Sequence, residues 1–497
     1  MPEKAKNILL FMTDQLNPDY LSCTPAHKCN TPNIDRIAAG IRFENAVTTN
    51  PVCLPARCSL LTGKFPHQVG TMTMSGGLNP DYPTYPQALQ KLGYHTSAVG
   101  KLHLIQGWHW DAPVGMGHDL VALKEETKRY GFDEVWEAAG KGLMLKNDCD
   151  YARYLREKGL LEAYRSELIR RENPGHPEYP NPSESFGISE SDHVEHVITD
   201  EVIRQIHGRN PRQPFLIFCS YLSPHPMIDP PKRYLDGEPL REDEEFLLRP
   251  GQEELSEEMK ARWRQNRRGY RALVRFVDDQ IGRILTVLEE EGILDDTVVL
   301  FTADHGDVLG NFRVDGKNLP WRESSTVPLA IRHPDFLTGK VIFAPVSLID
   351  VTATILDIAG ADPQNSLSLF WPAWNHVVPC RSLMPILRGE TDSVREFTFT
   401  ENDSFEMIQT LRYKYIRWRT VSPEYTPCRE ELYDLSTDPL EQIDVSRNPG
   451  YASALEWCRE RRDYTLNSTP AGQMGWAPVR DPVYARMVKR IPPEIPV

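Results

Sequence analysis

Residues 7–15 read Asn7-Ile8-Leu9-Leu10-Phe11-Met12-Thr13-Asp14-Gln15. From Ile8 to Thr13 the run is short and continuously apolar, the pattern of a strand buried on both faces. Similar runs recur at 96–99, 215–222, 297–302 and 327–331, with helical patterns between them. In the clearest helix, Tyr270, Leu273, Val274, Val277, Ile281, Ile284, Leu285 and Leu288 follow one another mostly three or four apart, which places them on one amphipathic face. Strands alternating with helices predict an α/β fold, with a mostly parallel central sheet flanked by helices on both faces.

Ligands of such sheets sit beyond the carboxyl ends of the strands. The conspicuous polar residues fall at those ends. Asp14-Gln15 follow the first strand, Lys101 and His103 the second, His225 the third and Asp304-His305 the fourth. Lys101 and His103 alternate by two, so an extended segment aims both side chains at one point.

A length of 497 residues fits one large domain and a smaller one. Residues 1–388 read as the catalytic α/β domain. Within it, residues 108–210 are rich in charge, Gly and Pro and read as a cap-like insertion over the site. Trp108, His109 and Trp110 at its start could wall a pocket or fill the cap's core. A second polar segment, 229–266, is acidic and reads as surface. The composition changes near Arg388-Gly389-Glu390, and residues 389–497 read as a smaller α+β subdomain. Its antiparallel strands are expected at 396–400 and 414–419, and its helix at 451–464. The Pro-rich end, 491–497, reads as a tail lying on a neighbouring copy, as in a homo-oligomer.

Hydrophobic and charged fractions of 40% and 25% are those of an ordinary globular chain. The net charge is −14 and no basic run occurs, which argues against nucleic acid and acidic membrane surfaces as partners. An anionic substrate therefore needs a local positive pocket. No apolar stretch has the length of a membrane span or a secretory leader. Nine cysteines, an odd number without a framework spacing, read as reduced thiols and predict a cytoplasmic enzyme.

The sequence Asn50-Pro51-Val52-Cys53-Leu54-Pro55-Ala56-Arg57-Cys58-Ser59-Leu60-Leu61-Thr62-Gly63 opens a short helix. A cysteine at a helix N-terminus faces unpaired N–H groups and the positive dipole end, a seat for an oxyanion. It could also be a low-pKa thiol or a structural cap. The pattern Cys53-x-Pro55-x-Arg57, followed by Leu61-Thr62-Gly63-Lys64, resembles the signature of the formylglycine-dependent (type I) sulfatases of the alkaline phosphatase superfamily. Residues 7–15, Thr31-Pro32-Asn33-Ile34-Asp35 and Phe43-Glu44-Asn45-Ala46 stand in that family's order and spacing. The resemblance spans nearly the whole chain and weakens between about 108 and 210.

The resemblance implies that a maturation enzyme converts Cys53 to formylglycine, whose hydrated aldehyde is the nucleophile. It implies a divalent-metal site of Asp14, Gln15, Asp304, His305 and an oxygen at position 53. Oxygen donors suit a hard cation, Ca2+ by family precedent, with Mg2+ or Mn2+ as alternatives. Lys101 matches a sulfate-binding lysine, and so does Lys317 in Asp315-Gly316-Lys317-Asn318. His103 matches the histidine that assists the nucleophile, and Arg57 the residue that holds its hydroxyls. His225 in Ser223-Pro224-His225-Pro226 matches the group that protonates the leaving oxygen. The implied activity is hydrolysis of a sulfate monoester of a small carbohydrate or related alcohol. Gln15 replaces a frequent acidic residue and His305 a frequent amide, which also resembles the phosphonate monoester or phosphodiester hydrolases of the superfamily. A catalytically silent protein that binds sulfated glycans is a third reading.

Overall fold

The computed structural model describes residues 6–74, 76–105, 117–172, 184–185, 187–368, 377–419 and 429–471. The strands of its larger part are β1 (Asn7–Asp14), β2 (Ile41–Phe43), β3 (Ala46–Val47), β4 (His95–Gly100), β5 (Glu134–Glu137), β6 (Phe215–Pro224), β7 (Thr297–Ala303), β8 (Leu329–Arg332), β9 (Lys340–Ile342) and β10 (Val346–Ser347). Eight of them form one sheet in the order β5-β4-β6-β1-β7-β8-β2-β9, and β3 pairs with β10. The block from β5 to β7 is parallel, with Leu10 opposite Phe218 on one side and Leu300 on the other. β1 and β6 are buried almost throughout, which is why they read as unbroken apolar runs.

The expected strand at 327–331 forms as β8, antiparallel to both β7 and β2. After β7 the chain stays at the carboxyl edge, where the Gly306 N–H donates to the Ser324 carbonyl at 2.9 Å. It therefore enters β8 from that edge, and a parallel partner would have required a crossover.

Helices Pro32–Ala38, Val194–Gly208 and Glu257–Glu290 pack together as one layer, and Cys53–Thr62, Tyr85–Lys91 and Asp350–Ile358 as another. All eight apolar residues named for the long helix are buried.

Two described elements of the stretch 108–210 belong to the main layers. Glu134–Glu137 is the edge strand of the main sheet, and the helix Val194–Gly208 lies on β4 and β6. Val194, Val197, Ile198, Val202 and Ile206 face the core at spacings of about three and four, between polar residues that dilute the composition. Trp108, His109 and Trp110 lie outside the described residues. The segment 229–266 is not all surface. Asp229 and Glu238 are buried because each meets a buried cation, Lys141 at 2.5 Å and Arg271 at 2.5 Å.

The smaller sheet consists of β11 (Thr398–Glu401), β12 (Phe405–Gln409), β13 (Tyr413–Trp418) and β14 (Glu430–Asp434), antiparallel in sequence order. The helix Ala452–Ser468 packs on β12 and β13. The expected tail at 491–497 lies outside the described residues. The small sheet touches the site from behind. The Glu401 N–H donates to the Thr49 carbonyl at 2.9 Å, and the Thr400 hydroxyl to the Thr48 carbonyl at 2.6 Å. Asn402 Nδ2 donates to Asn318 Oδ1 at 2.8 Å. The lead-in to Cys53 and the loop of Lys317 are thus braced by the end of β11 and the residue that follows it.

Candidate active site

Cys53 is the first residue of the helix Cys53–Thr62, which is buried along its whole length and ends on Gly63 in the left-handed conformation. Val52, before it, offers no side-chain cap, so the N-terminal N–H groups remain available to a ligand. One turn on, Arg57 ties the helix to four neighbouring strands. Its Nε donates to Asp304 Oδ2 at 2.8 Å, beyond β7. Nη1 donates to Ser220 Oγ of β6 at 2.8 Å and to the Lys101 carbonyl beyond β4 at 2.6 Å. Nη2 lies 3.6 Å from Asp14 Oδ2 at the end of β1.

Close backbone approach makes this possible. A Cβ on Gly100, at φ +105°, would stand 1.9 Å from the Ser220 carbonyl oxygen. Gln15 and His103 both turn left-handed, at φ +65° and +57°, a conformation that needs outside support in residues other than glycine. For Gln15 it comes from Tyr270, whose hydroxyl donates to the Gln15 carbonyl at 2.7 Å and accepts the Asn17 N–H at 2.9 Å. For His103 it comes from the buried Glu137 carboxyl, which accepts the His103 backbone N–H.

Asp14, Cys53, Asp304 and His305 each bring one ligand-type atom within 4.8 Å of the others. His305 Nδ1 donates to the Gly306 carbonyl at 3.0 Å, which leaves the Nε2 lone pair facing Asp14 Oδ1 at 3.8 Å and Asp304 Oδ1 at 3.7 Å. Asp14 Oδ1, Gln15 Oε1 and His305 Nε2 are buried without hydrogen-bond partners. Buried acceptors left open in this way fit a cation. Gln15 Nε2 is held by Asp307 Oδ2 at 2.7 Å, which leaves the amide oxygen free to ligate. The donor set of oxygens and one imidazole suits a hard or borderline divalent ion.

The Cys53 sulfur is the other focus. Lys317 Nζ donates to it at 3.0 Å, and His103, His225 and His305 approach within hydrogen-bonding reach. Lys101 Nζ donates to Asp14 Oδ2. Burial pushes the Cys53 thiol up, but Lys101 and Lys317 pull it well below its ordinary value, so the position stabilises negative charge. Burial also opposes ionisation of Asp14, and the surrounding cations, Lys101 first, hold it below the usual carboxylate range. Burial lowers His103 and favours its neutral form. Burial, followed by the Lys317 charge, lowers His225. His225 Nδ1 is tied to the Pro226 carbonyl, which sets the ring's orientation.

All ten residues expected from the sequence, Asp14, Gln15, Cys53, Arg57, Lys101, His103, His225, Asp304, His305 and Lys317, are thus assembled at one edge of the sheet. A supporting network was missed. Glu195 accepts the N–H groups of Leu222 at 3.2 Å and Ser223 at 2.7 Å. Lys141 Nζ donates to Ser223 Oγ and to the Met227 carbonyl, each at 3.1 Å, and to Asp229 at 2.5 Å. His193 Nε2 bonds the Asp229 carbonyl at 3.1 Å. Together they clamp both ends of the loop that carries His225. Their sequence signal is faint, since each is a single polar residue in a charged stretch.

The sulfatase family model matches residues 6–361. The chain is 29% identical over 479 residues to an arylsulfatase of Clostridium perfringens, covering 91% of this chain and 93% of that protein. It is 26% identical over 495 residues to an N-acetylglucosamine-6-O-sulfatase of Bacteroides thetaiotaomicron, covering 90% and 84%. A solved phosphonate monoester hydrolase of Silicibacter pomeroyi shares the fold with a TM-score of 0.75 at 22% identity, over 94% of this chain and 96% of that one. The chain belongs to the sulfatase family. It is an enzyme of the sulfuric ester hydrolase class.

Proposed function

We propose that this enzyme cleaves a sulfate monoester of a small carbohydrate or related alcohol, with formylglycine made from Cys53 as its nucleophile. The observation that carries the reading is the convergence on the Cys53 sulfur of Lys317, at 3.0 Å, with His103 and His225 from two other strand-end loops. The N-acetylglucosamine-6-O-sulfatase relative supports a carbohydrate alcohol. A cytoplasmic setting is part of this proposal, on the odd count of nine cysteines without a framework spacing.

A hydrated aldehyde at position 53 supplies two hydroxyls, one to attack sulfur and one whose proton loss restores the aldehyde and expels sulfate. Asp14, Gln15, Asp304 and His305 would hold a divalent cation, Ca2+ first and Mg2+ or Mn2+ as alternatives, whose charge lowers the pKa of the attacking group. Lys101 and Lys317 offset charge on the sulfuryl oxygens. His103, kept neutral by burial, accepts the proton of the second hydroxyl. His225 gives a proton to the departing alcohol oxygen. The anionic substrate opposes the Lys317 charge that lowers this ring in the free enzyme.

A second reading, phosphonate monoester hydrolysis, is favoured by the uncharged Gln15 in the cation site. Mass analysis of the peptide containing position 53, joined to parallel assays of an aryl sulfate and an aryl phosphonate monoester, tests both. Formylglycine at position 53 and faster turnover of the sulfate are the expected results. Full activity with only unmodified cysteine would sink the nucleophile, and a faster phosphonate reaction would select the second reading.

A further inference from the structure

A cavity of about 350 Å³ opens beside the site. Its walls include Pro226 and Met227, which follow His225, and Arg313 and Asp315, which precede Lys317. Two of the loops that reach the Cys53 sulfur therefore also frame this cavity. Pro226 and Met227 in its wall directly follow His225, the residue proposed to protonate the leaving alcohol. The long helix closes it with Arg262 and Trp263.

The charges in it are unequal. Arg313 donates to neutral groups, the Glu253 and Glu254 carbonyls at 2.8 and 3.2 Å, and is in no ion pair among the described residues. Arg171, also in the wall, is paired with Glu167 at 2.7 Å. Arg262 has no hydrogen bond among the described residues, and its charge acts on Asp315 across the cavity. Arg262 and Arg313 thus face the single carboxylate of Asp315, beside the indole of Trp263. That ring is fixed by Gly310, where a Cβ would lie 2.5 Å from it.

We infer that this cavity is the leaving-group pocket and selects an alcohol with a flat apolar face and a second anionic group. The ring face packs on Trp263, and a carboxylate or second sulfate is recognised by Arg262 and Arg313. A quaternary ammonium alcohol is excluded by the same charges. The assignment rests on the sulfate-ester reading above and names the class of ester it acts on.

The experiment compares kcat/KM for 4-carboxyphenyl sulfate, phenyl sulfate and 4-(trimethylammonio)phenyl sulfate. The same three leaving groups are run in parallel as phosphonate monoesters. The native enzyme should prefer the carboxylated ester over the plain one by about tenfold, the low end for a charge-assisted bond in a solvent-open cleft. The trimethylammonium ester should be the poorest. Arg262→Gln should abolish the preference, and Asp315→Asn should enlarge it. Both positions are exposed, so neither variant threatens the fold. A ratio near one in the native enzyme, or one that neither variant moves, overturns the pocket while leaving sulfate hydrolysis standing. Preference retained with turnover on the phosphonates alone overturns the sulfate reading while the pocket stands. A trimethylammonium ester that outruns the carboxylated one overturns the charge assignment.

Discussion

Replacing Arg57 with lysine keeps the charge and removes the fork. The guanidinium serves three acceptors at once, Asp304, Ser220 and the Lys101 carbonyl, at 2.6 to 2.8 Å, in a place where 2% of the residue is exposed. A lysine ammonium is a single nitrogen on a flexible stem and cannot span acceptors on three strands. Losing the two bonds to neutral groups costs about 1 kcal/mol each, and losing the charge-assisted bond about 1.5–3 kcal/mol. Arg57→Lys should therefore destabilise the fold by about 3–5 kcal/mol. Specific unfolding entropies give a chain of 497 residues about 1 kcal/mol per degree at its midpoint. The melting temperature should fall by about 3–5 °C. Ser220→Ala, which removes one neutral acceptor, should lower it by about 1 °C. Scanning calorimetry of the three proteins side by side reads both shifts. If Arg57→Lys melts within a degree of the native enzyme, the four-strand tie is not what holds this edge of the sheet. Turnover by Arg57→Lys should drop by about a hundredfold or more, as when one preorganised donor is removed from a reacting centre.

Asp14→Asn, Asp304→Asn and His305→Ala should each lower bound divalent metal together with activity. Elemental analysis of the native enzyme should find about one ion per chain, and unaltered content in all three variants would refute the assigned ligands. His225→Ala should slow sulfates of poor leaving groups more than activated aryl sulfates, because a general acid matters in proportion to charge on the departing oxygen. Equal loss across a leaving-group series would move the acid elsewhere. Glu137 is pushed from 4.5 up to about 8 by burial and the Asp150 charge. Between those values the fold keeps the proton that the unfolded chain releases, so this group lowers stability as pH rises from about 4.5 to 8. Glu137→Gln removes that effect and keeps an acceptor for the His103 N–H. Its melting temperature should gain on the native protein's from pH 5 to pH 8, and a pH-independent difference would contradict the buried, protonated carboxyl.

The parallel core was legible because β1, β6 and β7 are buried on both faces and carry unbroken apolar runs. The reacting edge was legible for a related reason. Asp14, Lys101, His103, His225, Asp304 and His305 each follow a strand end, where chain direction alone fixes which edge they reach. The clamp around His225 was not legible. Lys141, Glu195 and Asp229 are distant in sequence, and an isolated charged residue looks solvated until its partner is known. The same holds for Glu137, whose four-residue strand has too few positions to show a period. β8 was legible as a strand but not in direction, since direction depends on where the preceding loop returns. Trp263 and Arg262 lie in a helix whose apolar stripe was read, while the face they share with the cavity carries no pattern of its own.

The helix Cys53–Thr62 has no face toward solvent, and its guanidinium is locked among four strands. A catalyst that oxidises Cys53 would have to hold Cys53-Leu54-Pro55-Ala56-Arg57 as a free segment in its own cleft. The finished molecule never offers that segment. Time therefore runs one way at this position: the cysteine is altered while the chain is still open, or the protein folds around a thiol it keeps for life. With the proposed formylglycine nucleophile, the yield of competent enzyme would be set by a race between oxidation and folding, and slower folding would favour it.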